Sequence, residues 1–261
     1  MLIGFMNNPN NELLKEIELA GEFESDFLEL TIEYPKSLPS LVIASKKEIN
    51  DLLSTYSLGL VSHAAWFLFP ASPYDSIRNA SLKEAEKIIE AAAKINAKQV
   101  TFHSDPMPFV YKREQREILV SRTIDAIDHM NSFAKNLGLT FCIENYNAAS
   151  FGFADFQRLF SEVDCKMTLD VGHCHIPQID NRYLADYLGE FKDRIIHVHA
   201  HDNNGEKDEH LGIGNGGIDW KKSLKLLKKQ YDGTITVEDH SSNRKQFLLS
   251  KKALEELWEK A

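Results

Sequence analysis

The sequence predicts an α/β protein that folds as a single (β/α)8 (TIM) barrel over residues 1–261. Three observations carry this. Eight short apolar runs alternate with longer amphipathic ones, which is how a parallel sheet with helical crossovers reads. The length of 261 residues lies close to the roughly 250 typical of one such barrel, and no linker or shift in composition divides the chain. No glycine-rich phosphate-binding pattern follows a strand, so nothing favours an open nucleotide-binding sheet.

The strands are expected at Leu2–Phe5, Phe27–Ile32, Leu58–His63, Gln99–His103, Leu139–Glu144, Lys166–Asp170, Ile195–His199 and Thr234–Glu238. Each is short, mostly apolar and bounded by turn residues or charges, as strands buried on both faces are. Helix starts are expected at Ser45 and Ser81, each followed three residues later by glutamate in a capping-box pattern. The segment 82–96 is rich in strong helix formers. Arg113–Leu137 is a longer helical pattern, closed by Gly138. Asp219 is placed to cap a helix over 220–230, Gly233 precedes the last strand, and 247–260 reads as the final helix.

Composition narrows the function classes. Asp plus Glu number 39 against 30 Lys plus Arg, a net charge of −9, and no basic run suggests a grip on nucleic acid or on a membrane surface. The three cysteines, Cys142, Cys165 and Cys174, are odd in number and far apart, so a disulfide framework is not expected and a reducing cytoplasm is. The N-terminus lacks the basic and apolar regions of a signal peptide. The most apolar stretch, residues 60–69, contains His63 and stops at Pro70, short of the roughly 20 residues of a membrane helix.

In a (β/α)8 barrel chemistry sits at the C-terminal ends of the strands. All histidines but His129 fall at or just after those ends. In chain order the ends carry His63, His103, Glu144, Asp170 with His173, and His199, then Asp208 and His210 in the next loop, and finally Glu238. Imidazoles and carboxylates that converge at one mouth are the ligands of divalent metals. A lone strand-end histidine is more often a hydrogen-bonding core residue. Glu144 and Glu238 are harder to dismiss, because a buried unpaired carboxylate is costly. Strand alternation points His197, His199 and His201 the same way; His199 is taken as the ligand, His201 as a substrate contact and His197 as core. His175 and His240 are read as supporting residues and Cys174 as packing, whereas Glu33 and Trp66 are expected to face substrate.

At these residues the chain resembles the xylose isomerase-like TIM barrels: sugar isomerases and epimerases, inositol catabolism enzymes, and the endonuclease IV family of abasic-site nucleases. The resemblance runs from Leu2 to His240 and rests on the ordered set rather than on any single motif. The nuclease resemblance implies a three-ion site built from His63, His103, Glu144, Asp170, His173, His199, Asp208, His210 and Glu238, with Asp202 as the aspartate following the strand-seven histidine. The epimerase resemblance implies one ion on Glu144, Asp170, His199 and Glu238, with His173 nearer the substrate. Two departures from the nuclease pattern favour the small-substrate relatives: the first loop reads GFMNNP, and the second strand and its loop, FLELTIEYP, offer Glu29 and Glu33, where a glutamate would repel phosphate.

The expectation is therefore an enzyme with one to three divalent ions (Zn, Mn, Mg or Co). It would isomerise or epimerise a small sugar, sugar phosphate or polyol, with Glu144 and Glu238 moving a proton through an enediolate and His173 and His201 holding substrate oxygens. The alternative is an abasic-site endonuclease, the one reading that brings in nucleic acid.

Overall fold

The computed structural model describes residues 1–104, 112–146, 151–176, 184–239 and 241–261, so His240 lies outside the described residues. Eight parallel strands close in sequence order: β1 (Leu2–Met6), β2 (Phe27–Ile32), β3 (Gly59–Ala64), β4 (Gln99–His103), β5 (Thr140–Glu144), β6 (Lys166–Asp170), β7 (Ile195–Ala200) and β8 (Thr234–Val237). The pairing of Ile3 with Ile235 joins β1 to β8 and closes the barrel. The described helices are α1 (Leu13–Glu22), α2 (Pro39–Ala44), α3 (Lys46–Thr55), α4 (Asp75–Lys94), α5 (Arg113–Asn136), α6 (Phe153–Glu162), α7 (Leu184–Phe191), α8 (Trp220–Leu227) and α9 (Gln246–Glu259). Among the described residues no helix is long and apolar enough to cross a membrane.

The strands are buried on both faces, but the two faces differ. Leu28, Leu30 and Ile32 of β2 join the apolar cluster that includes Ile17 of α1 and Ile49 of α3. The opposite face carries polar groups that bond across the barrel. Thr101 of β4 meets Thr168 of β6 at 2.8 Å, and Glu29 of β2 meets His197 of β7 at 2.9 Å. Neither strand pair is adjacent, so these side chains fill the lumen. The core is thus an aliphatic ring between strands and helices around a hydrogen-bonded interior.

Both serine capping boxes fail to form. Helix α4 begins at Asp75, which leaves Ser81 inside it, where its hydroxyl accepts from the Phe69 N–H at 3.1 Å. Ser45 sits between α2 and α3 and makes no side-chain cap. A helix already precedes it, so its backbone (φ −91°, ψ 12°) stays close to helical instead of opening as a capping serine does. Asp219 does cap α8, accepting from the Lys222 N–H at 3.0 Å, and Gly138 beyond α5 takes φ +74°.

The loop from β7 to α8 is organised by one buried carboxylate. Asp202 accepts from the backbone N–H groups of Asn203, Gly214 and Ile218 and from the Trp220 indole, at 2.9, 2.9, 3.1 and 3.0 Å. A Cβ on Gly216 would lie 2.4 Å from an Asp202 oxygen, so only glycine fits there. Asp202 thereby spends both oxygens on the loop that presents Asp208 and His210. Asp202→Ala strands these donors and is expected to lower stability by about 3 kcal/mol, read from the urea midpoint of the metal-free protein.

Candidate metal centre

Strand register sets the ligands side by side. His103 is paired with Glu144 across β4 and β5, and Asp170 with His199 across β6 and β7. Three groups of side chains result. In the first, Glu144, Asp170, His199 and Glu238 each offer a ligand atom within 4.8 Å of the others. His199 Nδ1 lies 3.3 Å from Glu144 Oε2 and 3.3 Å from Glu238 Oε2. In the second, His63 Nε2 and His103 Nε2 stand 3.3 and 3.2 Å from the same Glu144 Oε2. In the third, Asp208 Oδ2 is 3.2 Å from both His173 Nε2 and His210 Nε2. These separations approximate the roughly 3.3 Å between neighbouring ligands around an ion bound at about 2.0–2.1 Å.

Backbone carbonyls choose the tautomers. A carbonyl only accepts, so Nδ1–H of His63 donates to Ala64, that of His173 to Asn145 and that of His210 to Glu238, at 2.8, 2.8 and 2.9 Å. Each ring then turns Nε2 into the cluster. Asn145 also donates to the Asp170 carbonyl at 3.1 Å, and its side-chain oxygen accepts from the Asp170 N–H at 2.8 Å. Sequence reading passed over this residue; its only signal was its place directly after Glu144.

Burial opposes the charged forms of Glu144, Glu238, Asp208, His63, His173, His199 and His210, and opposite charges outweigh it. His199 and His103 hold the Glu144 carboxyl well below its ordinary range. His199 and His210 do the same for Glu238, and His173 and His210 for Asp208. The neighbouring carboxylates lift His63, His173 and His199 and raise His210 to about 9. Several buried ligand atoms nevertheless lack a hydrogen-bond partner among the described residues: Glu144 Oε1, Asp170 Oδ2, His199 Nδ1, Asp208 Oδ1 and Glu238 Oε2. Lone pairs that converge without donors fit a cation, and the donor set of imidazole and carboxylate suits Zn, Mn or Co.

Part of the cluster lines a cavity of about 600 Å3. Its walls include His63, His103, His173, Asp208, His210 and Glu238, together with the expected Glu33 and Trp66. Sequence reading did not single out Asn7, Asn8, Tyr146, Asp239 or Arg244, which also line it. Arg244 comes from the loop after β8, bonds to Glu16 at 2.9 Å and stacks over Phe5 at 4.4 Å. Burial pushes Glu33 and Asp239 up from their ordinary values. Trp66 is about half exposed, edge-on to Phe67.

His201, Glu144, Asp170 and His199 are not on the cavity wall. His201 is fully buried, 3.3 Å from Asp170 Oδ1, and stacked on His210 with centroids 4.0 Å apart. A Cβ on Gly172 would strike its ring at 2.2 Å. His201 also groups with His173, Asp208 and His210, each offering a ligand atom within 4.8 Å of the others. His175 supports the β7 loop through Asn203 at 2.9 Å. The cysteines are buried and form no disulfide.

Residues 17–260 match the family described as xylose isomerase-like TIM barrel. The chain belongs to this family. It is 32% identical over 183 residues to an uncharacterized protein of Methanocaldococcus jannaschii, covering 69% of this chain and 70% of that one. It is 25% identical over 230 residues to a probable endonuclease 4 of Halothermothrix orenii, covering 79% and 81%. The crystal structure of a D-tagatose 3-epimerase-like protein superposes with a TM-score of 0.87 at 26% identity, covering 99% of this chain and 97% of the other.

Ligation requires neutral imidazoles, and metal-free His210 keeps its proton up to about pH 9. Adding Co2+ at pH 7.5 is therefore expected to release protons into weakly buffered solution. Affinity should rise with pH until about 9, as a chelator competition series will show.

Proposed function

We propose that this protein is a divalent-metal-dependent isomerase or epimerase of a small sugar, sugar phosphate or polyol. One observation carries the reading: a cavity of about 600 Å3, of small-molecule size, lined by His63, His103, His173, Asp208, His210 and Glu238 of a cluster that could hold metal ions. The likeness to a D-tagatose 3-epimerase-like protein supports it. So do Glu33 and Asp239 on the cavity wall, which would oppose a phosphodiester.

Glu144, Asp170, His199 and Glu238 would hold the ion, which when bound polarises a substrate carbonyl and acidifies the adjacent C–H. Glu238 reaches the cavity wall and is placed to take that proton. Glu144 lies off the cavity wall and spends Oε2 on three imidazoles, which leaves it Oε1, the oxygen without a hydrogen-bond partner among the described residues. It is the second proton carrier and the weaker base. His173, on the wall beside Tyr146, orients a substrate oxygen. Trp66 and Glu33 line the cavity where a substrate would sit.

A second reading is an abasic-site endonuclease in which nucleic acid is the substrate. The grouping of nine candidate ligands into three sets, two of which share Glu144, favours it, as does the similarity to a probable endonuclease 4.

Ketoses and aldoses incubated in D2O with the Co2+- or Mn2+-loaded protein are expected to gain deuterium at the carbon beside the carbonyl, read by proton NMR. Glu238→Gln should retain its ion and lose about 100-fold or more in turnover. Absence of exchange across the panel, together with cleavage of an abasic-site duplex by the same preparation, would replace the first reading with the second.

A further inference from the structure

Glu29 is a carboxylate with no solvent exposure, deep in the barrel and off the cavity wall. Its Oε1 lies 3.2 Å from His199 Nε2, and its Oε2 lies 2.9 Å from His197 Nε2. His197 is gripped in turn by Thr234, whose hydroxyl is 2.7 Å from Nδ1, and by Thr236, whose hydroxyl is 3.1 Å from Nε2. Glu29 therefore joins β2 to β7, which β1 and β8 separate in the barrel, through two imidazoles.

His199 differs from the other ligand histidines. His63, His173 and His210 anchor Nδ1–H on a backbone carbonyl and present Nε2. His199 presents Nδ1 to Glu144 and Glu238, and its Nε2 faces the Glu29 side chain. An ionised carboxylate only accepts, so the hydrogen is on Nε2 and the Nδ1 lone pair is left for an ion.

We propose that Glu29 is the positioning residue of the metal centre: its carboxylate fixes the tautomer and tilt of His199, while His197, Thr234 and Thr236 hold the carboxylate itself in place. The proposal rests on the metal-binding part of the reading above and not on the choice of substrate. The competing account is that Glu29 merely fills a layer of the lumen.

Two variants separate these accounts. Glu29→Met keeps the volume and removes the acceptor. Glu29→Gln keeps an acceptor for His199: its amide can donate to His197, whose Nδ1–H can then donate to the Thr234 hydroxyl. Chelator competition with Co2+ is expected to show a loss of roughly 10–100-fold in affinity for Glu29→Met. Its Co2+ visible spectrum should change, whereas Glu29→Gln stays within a few-fold of the parent and keeps the parent spectrum. A folded Glu29→Met with parent affinity and spectrum would overturn the proposal, and so would equal losses in both variants.

If Glu29→Met fails to fold, the parent decides. Nitrogen-15 NMR of the Zn2+-loaded, histidine-labelled protein should show His199 with its hydrogen on Nε2 and the ion on Nδ1; the reverse pattern overturns the proposal. A parent that takes up no Co2+ or Zn2+ would instead remove the metal reading on which the proposal rests.

Discussion

One oxygen organises the mouth of this barrel. Glu144 Oε2 lies within 3.3 Å of His63, His103 and His199, which come from three different strands. A carboxylate without solvent exposure is costly unless cations or donors surround it. The parallel register supplies them by pairing His103 with Glu144 and, one strand further on, Asp170 with His199. The other polar features near the mouth serve to keep this arrangement in place.

That service follows a layered order. Beneath the ligands, Glu29, His197 and the threonines of β8 tie the lumen together. Beside them, Asn145 fastens Asp170 and His173 to the end of β5. Behind them, Asp202 folds the β7–α8 loop so that Asp208 and His210 face back into the cavity. Each layer pairs an acceptor with donors on a different segment of chain, so the ligands are set by the fold and not by local flexibility.

Charge balance has the same origin. The formal net charge of −9 counts every histidine as neutral. In the metal-free state the buried carboxylates draw protons onto His63, His173, His199 and His210. Bound cations would neutralise the same carboxylates. Either way the sequence count would overstate the imbalance, with the difference concentrated at one site.

The sequence alone determined the barrel and its strands to within a residue or two, because a strand buried on both faces leaves an unmistakable apolar run between helical patterns. It also pointed to the candidate metal-ligating residues at strand ends, since carboxylates such as Glu144 inside an apolar strand need a partner. Helix starts were less legible: Ser45 and Ser81 carry the capping pattern, but a preceding helix and an earlier start at Asp75 left them nothing to cap. Only the tertiary structure brought Glu29, Asn145, Asp202 and His201 to their partners. Their partners lie across the lumen or across a loop, and no local period links Glu29 to His197 and His199, about 170 residues away. Local sequence pattern records which face a side chain takes; closure of the barrel decides which other side chains it meets there.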